Sequence, residues 1–159
     1  MKLSTASVLL KLVLGFSAIV IALVVFWCVP FYMQHVIDVR PDLAGWDYWM
    51  RAYALLVAVP VWVTIVLLWK VFGTIPKSDA FSQENARRFQ WIAWLAEGDL
   101  CLVGGFALFL LISGVTPPFL VMCFGGAIFA GIVAAMVFHV LAGLVRNAAE
   151  LKQDSDMTI

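Results

Sequence analysis

Charge is scarce in this 159-residue sequence: 10 Lys plus Arg stand against 10 Asp plus Glu, 13% of the chain, with no net charge. A soluble domain carries about 25% charged residues, and a chain this small has too much surface to cover with so few. The lack of high net charge at high hydrophobicity excludes intrinsic disorder. The lack of any Lys/Arg-rich block excludes direct nucleic-acid binding. Cysteine is equally sparse. Cys28, Cys101 and Cys123 are far apart, so there is no CxxC pair, no zinc spacing and no four-helix thiol oxidoreductase. Each reads as a small buried apolar residue, with a Cys28–Cys123 disulfide as the alternative. Also missing are the nucleophile elbow, HExxH, P-loop and GxGxxG signatures. No catalytic residue, cofactor or metal is therefore assigned, and the chain reads as a non-enzyme. A small multidrug antiporter would carry a carboxylate midway along its first span, and here there is none.

What the sequence has in abundance is apolar length. Hydrophobic residues make up 64%, and mean hydropathy is +1.02. A helix needs about 20 apolar residues to cross the hydrocarbon core. Four segments qualify, at approximately 9–30, 52–72, 91–112 and 118–145. All must be helical, because an isolated strand in lipid leaves its N–H and C=O groups unpaired. The first run exceeds the length of a signal-peptide core and no A-x-A site follows it, so it reads as an uncleaved span. Pro30 is expected to stop it, which leaves an outer loop over 31–51. The expected fold is all-α: an integral membrane four-helix transmembrane bundle forming one domain, 1–159.

Basic residues orient it. Lys2, Lys11, Lys70, Lys77, Arg87, Arg88, Arg146 and Lys152 fall on one side, and only Arg40 and Arg51 on the other. The positive-inside rule then predicts both termini and the 73–90 loop in the cytoplasm. The expected location is the bacterial cell (inner) membrane. Trp46, Tyr48 and Trp49 mark one interfacial belt, and Trp69, Trp91 and Trp94 the other; Trp27 and Trp62 read as packing residues. Within the 73–90 loop, Ile75, Pro76 and Lys77 break the second helix. Ser82 is an expected N-cap with Glu84 in the first turn, and Phe81 a hydrophobic staple before it. Phe81, Phe89 and Ile92 are expected on the membrane-facing side of the third helix. Asn85, Arg87 and Arg88 are expected to present polar groups to the cytoplasm.

Small residues suggest where helices close. Ala127, Gly131 and Ala135 form one row at four-residue spacing, and Gly126, Ala130 and Ala134 another; the third span carries Gly104 and Gly105. With only a short turn near 113–117, a tight hairpin of the third and fourth spans follows. Dimerisation through the fourth helix is the alternative reading. Pro60 should kink the second span.

Few residues carry chemistry. Glu97 and Asp99 lie one to two turns inside the third span, where an ionised carboxylate must face protein or water. They point about 200° apart on a helix and cannot share one site. His139 on the fourth span lies at similar depth, so either carboxylate can meet it. Such an intramembrane cluster reads as a structural clasp, or else as a proton or ligand site. His35 and Asp38 have i, i+3 spacing but lack a third ligand for a metal.

The segment Asp79-Ala80-Phe81-Ser82-Gln83-Glu84-Asn85-Ala86-Arg87-Arg88 and the terminus Asp156-Met157-Thr158-Ile159 resemble those of a family of small bacterial four-span membrane proteins of unknown function. That family shows a Pro-Phe-Ser-x-Glu-Asn-like motif before the third span and ends in Asp-Leu-Thr-Ile. Ala80 and Met157 depart mildly from it. Its members are often encoded beside a small helix-turn-helix regulator. The resemblance therefore implies a cytoplasmic docking face comprising Phe81, Ser82, Glu84, Asn85, Arg87, Arg88, Thr158 and Ile159. The rival reading is a small transporter or ligand-binding membrane protein using Glu97, Asp99 and His139.

Overall fold

The computed structural model describes residues 3–77, 80–114 and 118–157, and every regular element in them is helical. The order is α1 (Leu3–Leu23), a π-helical turn (Val24–Cys28), α2 (Val29–Val39), a 3₁₀ segment (Pro41–Trp46), α3 (Asp47–Thr74), a short 3₁₀ turn (Ile75–Lys77), α4 (Gln83–Ser113) and α5 (Pro118–Met157). Four helical stretches are long and apolar enough to cross a membrane: Ser4–Val39, Pro41–Thr74, Gln83–Ile112 and Pro118–Asp154.

These stretches outlast the expected spans, and the first correction is at Pro30. It does not end the first helix. A proline lacks the N–H and its ring collides with the carbonyl four residues back. Here the turn ahead of it widens to π geometry, with the Val29 N–H bonded to the Val24 carbonyl. Opening the turn in this way lets the chain continue as α2 to Val39. The expected outer loop over 31–51 is thus almost wholly helical. Pro60 lies inside an uninterrupted α3.

The four long units pack in chain order: α1 on α3, α3 on α4, and α4 on α5. Among the described residues α1 does not closely approach α4 or α5, so the bundle is an open arc with α3 at its back. Two polar contacts fix α1 to α3. The Ser7 hydroxyl donates to the Phe72 carbonyl at 2.5 Å, and the Lys11 ammonium lies 5.6 Å from the centre of the Trp69 ring, a cation–π distance. At the far end of α3, the Tyr53 hydroxyl donates to the Leu102 carbonyl at 2.6 Å, while the Tyr53 and Phe106 rings stack at 5.2 Å.

The α4–α5 pairing is the most extensive, as the expected hairpin requires. Its basis is only partly the expected small-residue rows. Ala86 and Ala93 on α4, and Ala135, Ala142 and Ala149 on α5, are buried at seven-residue spacing, which keeps each set on one face. Gly131 is the closest approach: a methyl group there would lie 2.7 Å from Leu100 Cδ2. Ala134 is half-buried. Gly126, Ala127 and Ala130 are exposed: Gly126 and Ala130 lie around the helix from this seam, and Ala127, on the row of Gly131 and Ala135, lies beyond the end of the close contact. Nothing lies within 4 Å of a methyl built on Gly104, and Gly105 meets only the Tyr53 hydroxyl of α3 at 3.8 Å, so neither glycine admits α5. Gly114 closes α4 in the left-handed region, φ 66°, which its missing Cβ allows.

Side-chain exposure corrects other expectations. Ile92 is fully buried and Phe89 stacks on Phe138 of α5 at 6.2 Å; both face protein, not lipid. Phe81 is exposed and cannot staple the helix start. Cys28, Cys101 and Cys123 are free thiols on the outside, neither buried nor disulfide-bonded. Trp27 and Trp62 are exposed rather than packed inside. Trp69, Trp91 and Trp94, and Trp46, Tyr48 and Trp49, are exposed.

Gly131→Ile overpacks the seam against Leu100 and should destabilise the hairpin by ~1–3 kcal/mol. Thermal unfolding in detergent should show a lower midpoint, and adding Leu100→Ala should recover most of the loss.

Candidate functional site

The basic end of the molecule carries two polar clusters. The first is built on the break between α3 and α4. Ser82 caps α4, its hydroxyl accepting from the Asn85 backbone N–H at 3.3 Å. That satisfies one of the orphan donors of the first turn. The Asn85 side chain then ties the end of α3 to the start of α4. Its Nδ2 donates to Thr74 Oγ1 at 2.7 Å and to the Ala80 carbonyl at 3.1 Å. Its Oδ1 accepts from Arg88 at 2.7 Å. Arg88 in turn bonds Glu84, one turn back.

Asn85 is 0% exposed. It was expected at the docking face and is instead the internal brace of the α3–α4 connection. A buried amide has four hydrogen-bonding positions to satisfy, and the end of α3, the approach to α4 and an arginine converge on it here. Of the other expected docking residues, Phe81, Glu84 and Arg87 are exposed, Ser82 is half-buried in its cap, and Arg88 is held by Asn85 and Glu84. Thr158 and Ile159 lie outside the described residues.

The second cluster crosses the α4–α5 seam. His139 Nε2 lies 2.6 Å from Glu97 Oε1, and His139 Nδ1 lies 3.1 Å from Gln90 Nε2. Gln90 and Glu97 are seven residues apart, so both project to the same side of α4 and clasp one imidazole from opposite edges. If the Gln90 amide donates to Nδ1, the Nε2–H is left to donate to Glu97. The pair is half-exposed, with side-chain accessibility of 37% for His139 and 51% for Glu97. Of the two carboxylates expected near His139, the structure brings in Glu97 and leaves out Asp99. Asp99 turns to the other side of α4, where its Oδ1 is buried with no hydrogen-bond partner among the described residues. Gln90 escaped the sequence reading; its seven-residue offset from Glu97 was the available signal.

At the opposite end Arg40 pairs with Asp42 at 2.9 Å and Arg51 with Asp47 at 2.9 Å. The Asp38 carboxylate accepts from Gln34 at 3.3 Å. Among the described residues no group of three His, Cys, Asp or Glu side chains is placed to hold a metal.

Four long apolar helices, exposed tryptophans and polar groups paired across helix seams define a multi-pass membrane protein. The chain belongs to the family described as "Protein of unknown function (DUF2975)", whose profile matches residues 31–159. It is 24% identical over 156 residues to "Uncharacterized membrane protein YoaS" of Bacillus subtilis (strain 168), a match covering 97% of this chain and 98% of that protein. No solved structure matches it significantly.

Asn85→Ala removes the bonds to the Thr74 hydroxyl, the Ala80 carbonyl and Arg88, although Thr74 keeps its bond to the Val71 carbonyl and Arg88 keeps Glu84. The expected loss is ~1–3 kcal/mol, read as a lower unfolding midpoint and faster amide exchange over 74–88. His139→Ala should strand Glu97 in the seam and lower the midpoint more than Glu97→Gln, which keeps an acceptor facing the ring.

Proposed function

We propose that this chain is a non-enzymatic membrane protein whose basic end faces the bacterial cytoplasm and docks a small DNA-binding regulator of the helix-turn-helix class. The observation that carries the reading is the rigid turn at the head of α4. It holds an exposed aromatic, Phe81, and an exposed guanidinium, Arg87, on a frame locked by the buried Asn85. Aromatic residues and arginine are both enriched at protein interfaces. A mobile loop would lose ordering entropy on binding, and a braced one has little left to lose. Two further features support the reading. The excess of Lys and Arg at this end satisfies the positive-inside rule. Helix α5, 40 residues long and thus about 60 Å, runs well past the ~30 Å hydrocarbon core. Its last turns offer Glu150, Leu151 and Lys152 to the aqueous phase.

If a helix-turn-helix protein is encoded beside its gene, the purified full chain in lipid nanodiscs should bind it. Phe81→Ala combined with Arg87→Glu should weaken that binding at least tenfold while leaving the unfolding midpoint unchanged. Absence of binding, or binding indifferent to the double substitution, defeats the proposal.

The Glu97–His139 contact favours one other reading, a transporter or ligand-binding protein that uses this pair within its spans, with Asp99 apart from it. Proton flux into liposomes driven by a pH gradient should then fall for Glu97→Gln. Flux equal to that of protein-free liposomes removes this reading.

A further inference from the structure

Charge is balanced pair by pair over most of this molecule. Arg40 holds Asp42, Arg51 holds Asp47, Arg88 holds Glu84 and Arg146 holds Glu150. The corner where α1 meets the last turns of α3 is different. Lys11 is half-buried and Lys70 exposed, and neither ammonium is ion-paired or hydrogen-bonded among the described residues. The helices that carry them supply no partner. There is no acidic residue in α1, and the one in α3, Asp47, lies at the opposite end and is held by Arg51.

The two cations share this corner. Lys11 Nζ lies 5.6 Å from the centre of the Trp69 ring and 3.6 Å from the place a methyl group on Gly73 would take. Lys70 precedes Gly73 by three residues and so neighbours it on the helix surface. Glycine at 73 leaves the Lys11 ammonium its seat, because the outer atoms of a larger side chain would stand where it now lies.

Depth selects the occupant. The uncharged run of the first span starts at Leu12, and that of the second ends at Trp69. Both cations therefore stand at the edge of the hydrocarbon, where lipid phosphates lie, beside an exposed tryptophan of the kind that favours this level. From them a shallow apolar groove continues toward the middle of the spans, with Ala18 and Ala22 of α1 and Trp62 of α3 in its lining. Ala18 lies seven residues from Lys11, and Trp62 seven from Trp69, each pair on one helix face. Ala22 is about 16 Å along α1 from Lys11, close to half of a ~30 Å hydrocarbon core. The cations thus cap a groove about one leaflet deep. A second copy of this chain brings no spare charge to them: at this end Glu84, Glu97 and Glu150 each already have a partner. An anion carrying a hydrocarbon tail matches both parts.

We infer that the α1–α3 corner binds one anionic bilayer phospholipid. Its phosphate lies between the Lys11 and Lys70 ammoniums beside Trp69, and an acyl chain follows the groove past Ala18 to Ala22. Basic pockets between spans at headgroup level recognise anionic lipids; a zwitterionic headgroup brings its own cation and gains less.

The full chain in neutral detergent, titrated with phosphatidylglycerol or phosphatidylcholine and read by native mass spectrometry, provides the test. One phosphatidylglycerol should bind at least tenfold tighter than phosphatidylcholine. Lys11→Gln combined with Lys70→Gln should abolish the preference. Gly73→Leu keeps every charge but displaces the Lys11 ammonium, and should weaken phosphatidylglycerol at least threefold. Lys70→Gln alone, at an exposed position, should do the same and serves where a change at the α1–α3 contact disturbs folding. Arg146→Gln removes as much charge from the same end and should leave the preference unchanged. Soluble glycerol phosphate should not compete. Equal binding of the two lipids overturns the inference. So does a preference that survives the double lysine substitution, one that falls as far with Arg146→Gln as with Lys70→Gln, or displacement by glycerol phosphate. The regulator-binding measurement reads Phe81 and Arg87, so either result can fail alone.

Discussion

Alanine at seven-residue intervals on two antiparallel helices is the constraint on which this structure turns. Lipid tails give apolar helices no reason to leave them, so association in a membrane relies on close van der Waals contact and on polar groups that need partners. The buried alanines of α4 and α5, and the bare backbone of Gly131 beneath Leu100, provide the closeness. That closeness brings His139 within hydrogen-bonding distance of both Gln90 and Glu97. The hairpin is then a rigid plate against which α3 lies, and α3 in turn carries α1.

Both polar clusters follow one rule. An ionisable or amide side chain that cannot reach bulk water is matched by a group on the adjoining helix. The Asn85 brace does this at a break in the chain, and the imidazole clasp does it within a seam. Asp99 departs from the rule with one buried, unmatched oxygen. A carboxylate so placed is costly in a span.

Much of the architecture was legible. Four apolar runs, the Ser82 cap, the α4–α5 hairpin and the meeting of an acid with His139 all follow from helical periodicity and depth counting. The misreadings have physical causes. Pro30 was read as a stop because the rule for proline assumes an α-helical turn before it, and a π turn relaxes that assumption. Asn85 was placed on the surface because a polar residue in a connection usually is. Only the convergence of Thr74, Ala80 and Arg88 reveals it as internal, and that convergence is a tertiary fact. Gly104 and Gly105 looked like a helix crossing, yet the close approach is made by Gly131 alone, because spacing shows which residues share a face and not which face meets a neighbour.

That α1 touches the rest of the molecule through α3 has a bearing on biogenesis. Spans leave the ribosome in order, so α1 and α3 can associate through Ser7 and Lys11 before the final pair is made. Meanwhile the Tyr53 hydroxyl must wait in the bilayer for the Leu102 carbonyl. The late-arriving hairpin completes the earlier half, and a nascent chain halted after its second crossing would carry an unsatisfied phenol as a mark of its unfinished state.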